Sequence, residues 1–388
     1  MTSNVGAKRY AILRLEQDWG EYDSGGDDVY IPFWDDGATV RPKNAWISQL
    51  HVTGVRGDTH RAQVGRDVAG TLNVGVWPEL ARFILDLATQ VDGSTGDLSS
   101  FSLTIVDPEV ECLRYYGLRV NTLGIRVSEG EPTLLLNMDL MGRYAEKLTG
   151  GSIPSLPSYP ADISYILQHG ALMLAPAGSY ANRERFSSVE ITVENNLKPG
   201  RHVRHPTAAL DKTISSLRTG TQRVRGTVEL EHEDATFTDA LLAVSEGSLE
   251  LLFAHPTGAV LTVGAAGAAA GSNVAIPVTT NPTGLFSTAN EEHIFCETVL
   301  SDENKRSVAK VTALGTGPNT VTVAVLDRAL VDGDKLYGHG LRVRLTGLTV
   351  EGTDTSGGRE DNRNQRYEFS TSDDGTGVQF AYDCEVSA

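Results

Sequence analysis

An internal repeat is the strongest constraint this sequence places on its fold. The stretch Arg66 to Ile105 is answered by Gln222 to Phe253: Val68-Ala69-Gly70-Thr71-Leu72 lies on Val224-Arg225-Gly226-Thr227-Val228, and Phe83 and Leu87 lie on Phe237 and Leu241. Self-similarity at a fixed offset marks a chain assembled from like units, and it shapes every later assignment. Ser102 to Asp107 then answers Ser248 to Phe253. Gly117-Leu118-Arg119-Val120 recurs letter for letter as Gly340-Leu341-Arg342-Val343, a register that also lays Gly124 on Gly347 and Val127 on Val350. Several blocks in one order predict two copies of one unit.

Each unit reads as mainly β. Apolar runs are short and broken by turn residues, and 40 glycines punctuate the 388 residues, a pattern of many short strands. The first unit is placed at 1–150, with strands at Lys8 to Glu16, Ala45 to Gly54, Val68 to Val76, Phe101 to Val106, Leu118 to Val127 and Thr133 to Met141. One helix is predicted: Pro78 suits a first turn, and Leu80, Phe83, Ile84 and Leu87 recur at helical spacing as a core face. The Gly, Ser and Pro break Gly150 to Pro160 places a linker at 151–185. The second unit takes 186–255 and 339–388, ending in a hairpin across Asp373-Asp374-Gly375. Where the first copy joins two strands by Asp107 to Tyr116, the second spends Pro256 to Gly338, so 256–338 is expected to be an inserted β module, with strands at Val260 to Val263, Ala275 to Thr279, Val308 to Ala313 and Thr320 to Val325.

The formal net charge of −17 opposes ordinary nucleic-acid binding, since an acidic surface repels phosphate. Cys112, Cys296 and Cys384 form neither a CxxC pair nor a disulfide framework, which fits a reducing compartment. Met1 to Leu15 lacks the apolar core of an export signal, and no apolar run is long enough to cross a bilayer. No membrane association is expected.

No constellation signals an enzyme. The acidic loop Asp18 to Asp28 lacks the alternating ligands and distal Glu of an EF-hand. His202 and His205 sit among Pro199, Gly200 and Pro206 without a completing ligand set. Gly264 to Gly271 has no Lys to make it a phosphate loop, and no G-x-S-x-G elbow occurs. Glu229, Glu231 and Glu233 alternate with Val228, Leu230 and His232 and read as the solvated face of a strand, not as catalytic carboxylates. Neither cofactor nor metal is expected.

Taken together, Val68 to Leu87, the run Phe186 to Leu197 (FSSVEITVENNL) and Arg225 to Leu242 (RGTVELEHEDATFTDALL) resemble phage tail tube proteins of the long, non-contractile, siphovirus type. The resemblance covers most of both units and is not seen over Pro256 to Gly338. It implies two tandem β-sandwich or half-barrel units, each flanked by a helix, whose inner sheets join between subunits around a lumen for DNA. Duplicated relatives form trimeric, pseudo-hexameric rings. The partners implied are further copies of the chain and the tail tip, tape measure and terminator proteins; viral DNA transits without specific binding, and the setting is the virion tail, after assembly in the host cytoplasm. On this reading Glu229, Glu231 and Glu368 face an electronegative lumen, and Arg56, Arg61, Arg66, Arg201 and Arg204 belong to loops that touch neighbouring rings. The module 256–338 decorates the outside. The alternative is a β-rich carbohydrate-binding or adhesion component of a tail, a reading weakened by the lack of Trp in 256–338.

Overall fold

The computed structural model describes residues 10–31, 33–49, 60–91, 95–107, 111–154, 164–175, 182–184, 186–200, 213–231, 247–255, 259–283, 285–286, 293–297, 306–326, 329–354, 364–371 and 380–385. Strands dominate, as the short apolar runs predict, and the described residues contain one α-helix. In the first half lie β1 (Tyr10–Leu15), β2 (Val29–Ile31), β3 (Phe33–Ala38), β4 (Arg41–Gln49), β5 (His60–Gly75), α1 (Pro78–Thr89), β6 (Phe101–Asp107), β7 (Glu111–Ser128), β8 (Leu135–Gly142) and β9 (Tyr144–Leu148). Then follow β10 (Gly170–Ala175), β11 (Asn182–Glu184), β12 (Phe186–Glu194), β13 (Lys198–Gly200), β14 (Ser216–Arg218), β15 (Arg223–Glu231) and β16 (Gly247–Ala254). A separate sheet holds β17 (Val260–Thr262), β18 (Gly271–Pro277), β19 (His293–Glu297), β20 (Arg306–Thr316), β21 (Asn319–Leu326) and β22 (Lys335–Tyr337), after which β23 (Gly340–Asp354), β24 (Asn364–Thr371) and β25 (Phe380–Glu385) close the chain.

An unbroken antiparallel run crosses the molecule in the order β4, β5, β8, β7, β12, β15, β24, β23. Side chains alternate across it, as the pleat requires. Val68, Leu72, Met138, Leu140, Leu123, Ile125, Val189, Ile191, Val193, Val228, Tyr367 and Phe369 are buried in one core cluster that spans both halves. A second layer covers that face: β2, β1, β6, β7 and β9 in the first half, β11, β10, β16, β23 and β25 in the second. Both β7 and β23 are long enough to serve both layers, and they carry the chain from one to the other.

The pairing scheme of the first half recurs in the second, with β10, β12, β15, β16, β23, β24 and β25 taking the places of β1, β4, β5, β6, β7, β8 and β9. Gly70 lies opposite Leu140, as Gly226 lies opposite Phe369. Both are glycine for one reason: a Cβ on Gly70 would meet the Thr39 carbonyl oxygen at 2.6 Å, and one on Gly226 would strike that of Glu190.

In one strand the expected register is wrong. Gly117 takes a left-handed φ of 65° and Gly347 one of 61°, whereas Gly340 has no positive φ. Beyond Gly117 a bulge falls between Val120 and Thr122 on β8, and beyond Gly347 one falls between Val350 and Gly352 on β24. Gly347-Leu348-Thr349-Val350 is therefore the counterpart of Gly117-Leu118-Arg119-Val120. The letter-for-letter match at Gly340 has another cause: the Phe295 ring occupies the space a Cβ would need. A glycine is required where the strand turns from one layer into the other, since only glycine takes positive φ without steric cost.

Helix α1 has Pro78 in its first turn and buries Leu80, Ile84, Leu85, Leu87 and Ala88, as its spacing predicts. It ends where the Thr89 hydroxyl donates to the Leu85 carbonyl at 2.7 Å. The matching stretch around Phe237 and Leu241 lies outside the described residues.

Other expectations are revised. The connection foreseen at Asp107 to Tyr116 is mostly strand: β6 and β7 meet at Asp107 and Glu111, and the Tyr116 ring stacks on Tyr144 with centroids 4.4 Å apart. Among the described residues β24 and β25 do not pair with each other as the foreseen terminal hairpin requires. β24 pairs with the far half of β23 and β25 with its near half, because β23 passes through both layers. The stretch 151–185 contains β10 and β11, and the long polar loop Asn195 to Thr221 begins and ends in the β13–β14 ribbon.

The sheet inserted between β16 and β23 has its own core of Leu261, Ile276, Ile294, Val311, Val321, Val323 and Leu336. It includes β19 and β22, which the sequence did not predict. At its stem the His255 N–H donates to the His339 carbonyl at 3.0 Å, and Phe295 packs with Ala171, Leu252 and Ala254 of the main body.

Candidate assembly surfaces

A tube subunit needs a face for the bore, edges to join its neighbours and arms to reach the next ring. The outward face of the strand run carries Arg41, Lys43, Arg126, Arg223, Arg225 and Arg366 against Asp67, Asp139, Glu190, Glu194, Glu229, Glu351 and Glu368. Opposite charges face each other across strands: Lys43 and Asp67, Arg126 and Glu190, Glu194 and Arg223, Glu229 and Arg366. Arg225 is ion-paired with Glu194, and the Ser188 hydroxyl donates to Glu229 Oε2 at 3.1 Å. Such cross-strand pairs each contribute a few tenths of a kcal/mol; their larger effect is on the surface potential. The face is sign-alternating, not uniformly acidic. Alternation within β15 revealed its carboxylates, but the arginine that answers Glu229, Arg366, comes from β24, which lies far off in sequence.

Of the lumen candidates, Glu368 is exposed, Glu229 is partly exposed, and Glu231 pairs with Asn364 at the end of β15. Of the arm candidates, Arg61 and Arg66 stand in β5 itself, paired with Ser48 and Asn44. They are not loop residues as expected; the hairpin continues as a paired ribbon where hydrophobic alternation has lapsed. Arg56, Arg201 and Arg204 lie outside the described residues, as do His202, His205 and Glu233. Among the described residues no group of three or more His, Cys, Asp or Glu could hold a metal ion.

Sequence reasoning missed the seam between the halves. There β12 lies on the far half of β7, with Val189 on Val127, Ile191 on Ile125 and Val193 on Leu123. Asn195 seals its end: buried, it donates from Nδ2 to the carbonyls of Ala88 at 2.8 Å and Val120 at 3.0 Å, while its N–H reaches the Asn121 carbonyl at 2.8 Å. Each such bond stabilises by about 1 kcal/mol, and leaving the buried amide unpaired would cost more. The base of the β13–β14 ribbon is tied to the first half. The Thr219 N–H donates to Asp97 Oδ1 at 2.9 Å, the Leu98 N–H to the Thr219 hydroxyl at 2.8 Å, and Arg119 lies 3.3 Å from Asp97. Leu98, Leu197 and Leu217 close a small apolar cluster beneath them.

Near the N-terminal strand, Glu16 accepts the Gly117 and Gly20 N–H groups, each at 2.8 Å. Burial raises its carboxyl above the ordinary range, an effect those bonds partly offset. Arg14 forms an ion pair with Asp28 at 2.6 Å and donates to the Asp23 carbonyl, so the acidic loop is folded onto the sheet by an arginine.

The described residues thus combine two β layers, a polar face in a continuous strand run and the β4–β5 and β13–β14 ribbons. Residues 6–285 match the phage tail tube protein family, and the chain belongs to it. The match enters the inserted sheet through β17 and β18 and stops before β19 to β25. No curated protein matches the chain. Membership makes it a structural component of the virion tail, with copies of itself and other tail proteins as its partners.

Proposed function

We propose that three copies of this chain close into a ring of six like units, and that such rings stack into the tube of a long, non-contractile tail. The observation that carries the reading is the recurrence of one pairing scheme in both halves, which supports a gene-duplicated unit at 1–150 and, with β10 and β11 joined to the expected 186–255 and 339–388, at 170–255 with 339–388. A run whose two ends are unlike edges of the same unit suits head-to-tail closure, which removes exposed edges from a soluble sheet. The polar face, with Glu229, Glu231 and Glu368, lines the bore. Arg126, Arg223, Arg225 and Arg366 already face or pair with carboxylates, so passing phosphates find few cations to hold them, and DNA slides without specific contacts.

The β4–β5 hairpin, with Arg56, Arg61 and Arg66, and the arm bearing Arg201 and Arg204 reach adjoining rings. The module 256–338 stands outside, where bulk does not obstruct DNA. Assembly in the host cytoplasm with the tape measure, tail tip and terminator proteins completes the reading. Negative-stain microscopy of purified protein, alone and with tail-tip complexes, tests it. Tubes with three chains per ring are expected; persistent monomers would overturn the assembly, and six chains per ring the stoichiometry.

A further inference from the structure

We propose that the β3–β4 edge of one copy pairs with β23 beyond Val350 in the next copy, in the register of the seam between β12 and β7. This rests on the reading of the chain as a ring subunit. Two observations on strand position fix the register. Counterparts across β15 and β5 place Thr192 on Arg41, Val193 on Pro42, Glu194 on Lys43 and Asn195 on Asn44. Counterparts across the two bulges place Thr122 on Gly352, Leu123 on Thr353 and Gly124 on Asp354. Within the chain, Glu194 faces Thr122, Val193 faces Leu123 and Thr192 faces Gly124. Transferred to two copies, Lys43 faces Gly352, Pro42 faces Thr353 and Arg41 faces Asp354.

Three features support a second copy as the occupant. Among the described residues β3 and β4 pair only with β5, and the segment from Gly352 to Asp354 pairs only with β24, so each strand has a side that the sheet does not use. The residue types are complementary: Arg41 and Lys43 are exposed at one end, and at the other the strand carries Glu351, which is exposed, and Asp354. Asparagine recurs at the sealing position. Asn195 is buried against the Val120 and Asn121 carbonyls, whereas Asn44 is exposed, in place to meet those of Val350 and Glu351 in the neighbouring copy. Adding a strand to an exposed edge recruits backbone hydrogen bonds, while side chains set the register.

The seam also says which pair to cross-link. The N–H groups of Asn195 and Glu129 donate to Asn121 and Ser187, so Thr192 and Gly124 fall at a non-hydrogen-bonded position, where opposing side chains lie closest. Arg41→Cys with Asp354→Cys, in a Cys384→Ser background, should form disulfides between copies when tubes are mildly oxidised, giving a ladder that ends in a closed species of one ring. Arg41→Asp should cut tube yield roughly tenfold or more, since like charges in contact penalise association, and Arg41→Asp with Asp354→Arg should restore it. Tubes without the cross-link overturn the register. Undiminished tubes from Arg41→Asp overturn the charge pairing. Failure of the unsubstituted protein to form any tube overturns the ring reading beneath both.

Discussion

Gly70 and Gly226 leave no room for a methyl group, because what approaches them is backbone of the adjacent strand. Alanine at either site should destabilise the fold by about 1–3 kcal/mol, the usual cost of overpacking, read as a lower denaturant midpoint with unchanged slope. At Gly347 the penalty is conformational, since left-handed backbone costs an L side chain about 1–2 kcal/mol. Gly340→Ala should instead loosen the inserted sheet by displacing Phe295. The pH dependence of Glu16 has a definite sign. Burial raises its folded carboxyl above the ordinary 4.5, so the folded state holds a proton that the unfolded state releases. That contribution is fully present below 4.5 and is lost as pH rises through the folded value. Unfolding free energies of wild type and Glu16→Gln compared across that window should show the wild type losing ground as pH rises.

Element by element, the sequence was legible where burial wrote it. The alternation of Val189, Ile191 and Val193 and the helical spacing of Leu80, Ile84 and Leu87 follow directly from facing one core. Arg61 and Arg66 sit in a strand that no apolar pattern marks, because backbone pairing with β4 needs no apolar alternation. The Gly340 match misled because two glycines can be needed for unrelated reasons, one for backbone angle and one for a neighbouring ring. Nothing in β15 announced Arg366. The inserted sheet yields its own prediction, since β16 and β23 already pair at Ala254 and Gly340. Replacing 256–338 by a short turn should leave a hairpin like β6–β7. Tubes of that variant should have a smaller outer diameter and an unchanged bore in projection images; a widened bore would place the module inside.

For the whole molecule, the excess of acid over base in composition does not translate into an acidic strand face, and charge there is better read as pairs than as a sum. Reversing Glu229 and Glu231 to Lys would leave Arg366 facing a like charge and give the proposed bore cations for phosphate. Tubes should still assemble and DNA ejection should slow, measured as release from purified particles after receptor triggering; unchanged ejection would remove both residues from the wall. The seam between β7 and β12 bears on supply and on ornament. Its two strands belong to one polypeptide, so they meet at an effective concentration set by the tether, on the order of millimolar, however little protein has been made. Only the joints between chains respond to expression level, and in the proposed ring of three chains they number three where six separate units would need six. Covalent fusion also frees the halves to diverge. On the proposed duplication the β16–β23 connection lengthened while β6–β7 stayed short, so in the proposed tube whatever 256–338 presents is displayed once per chain, at half the density of the wall units.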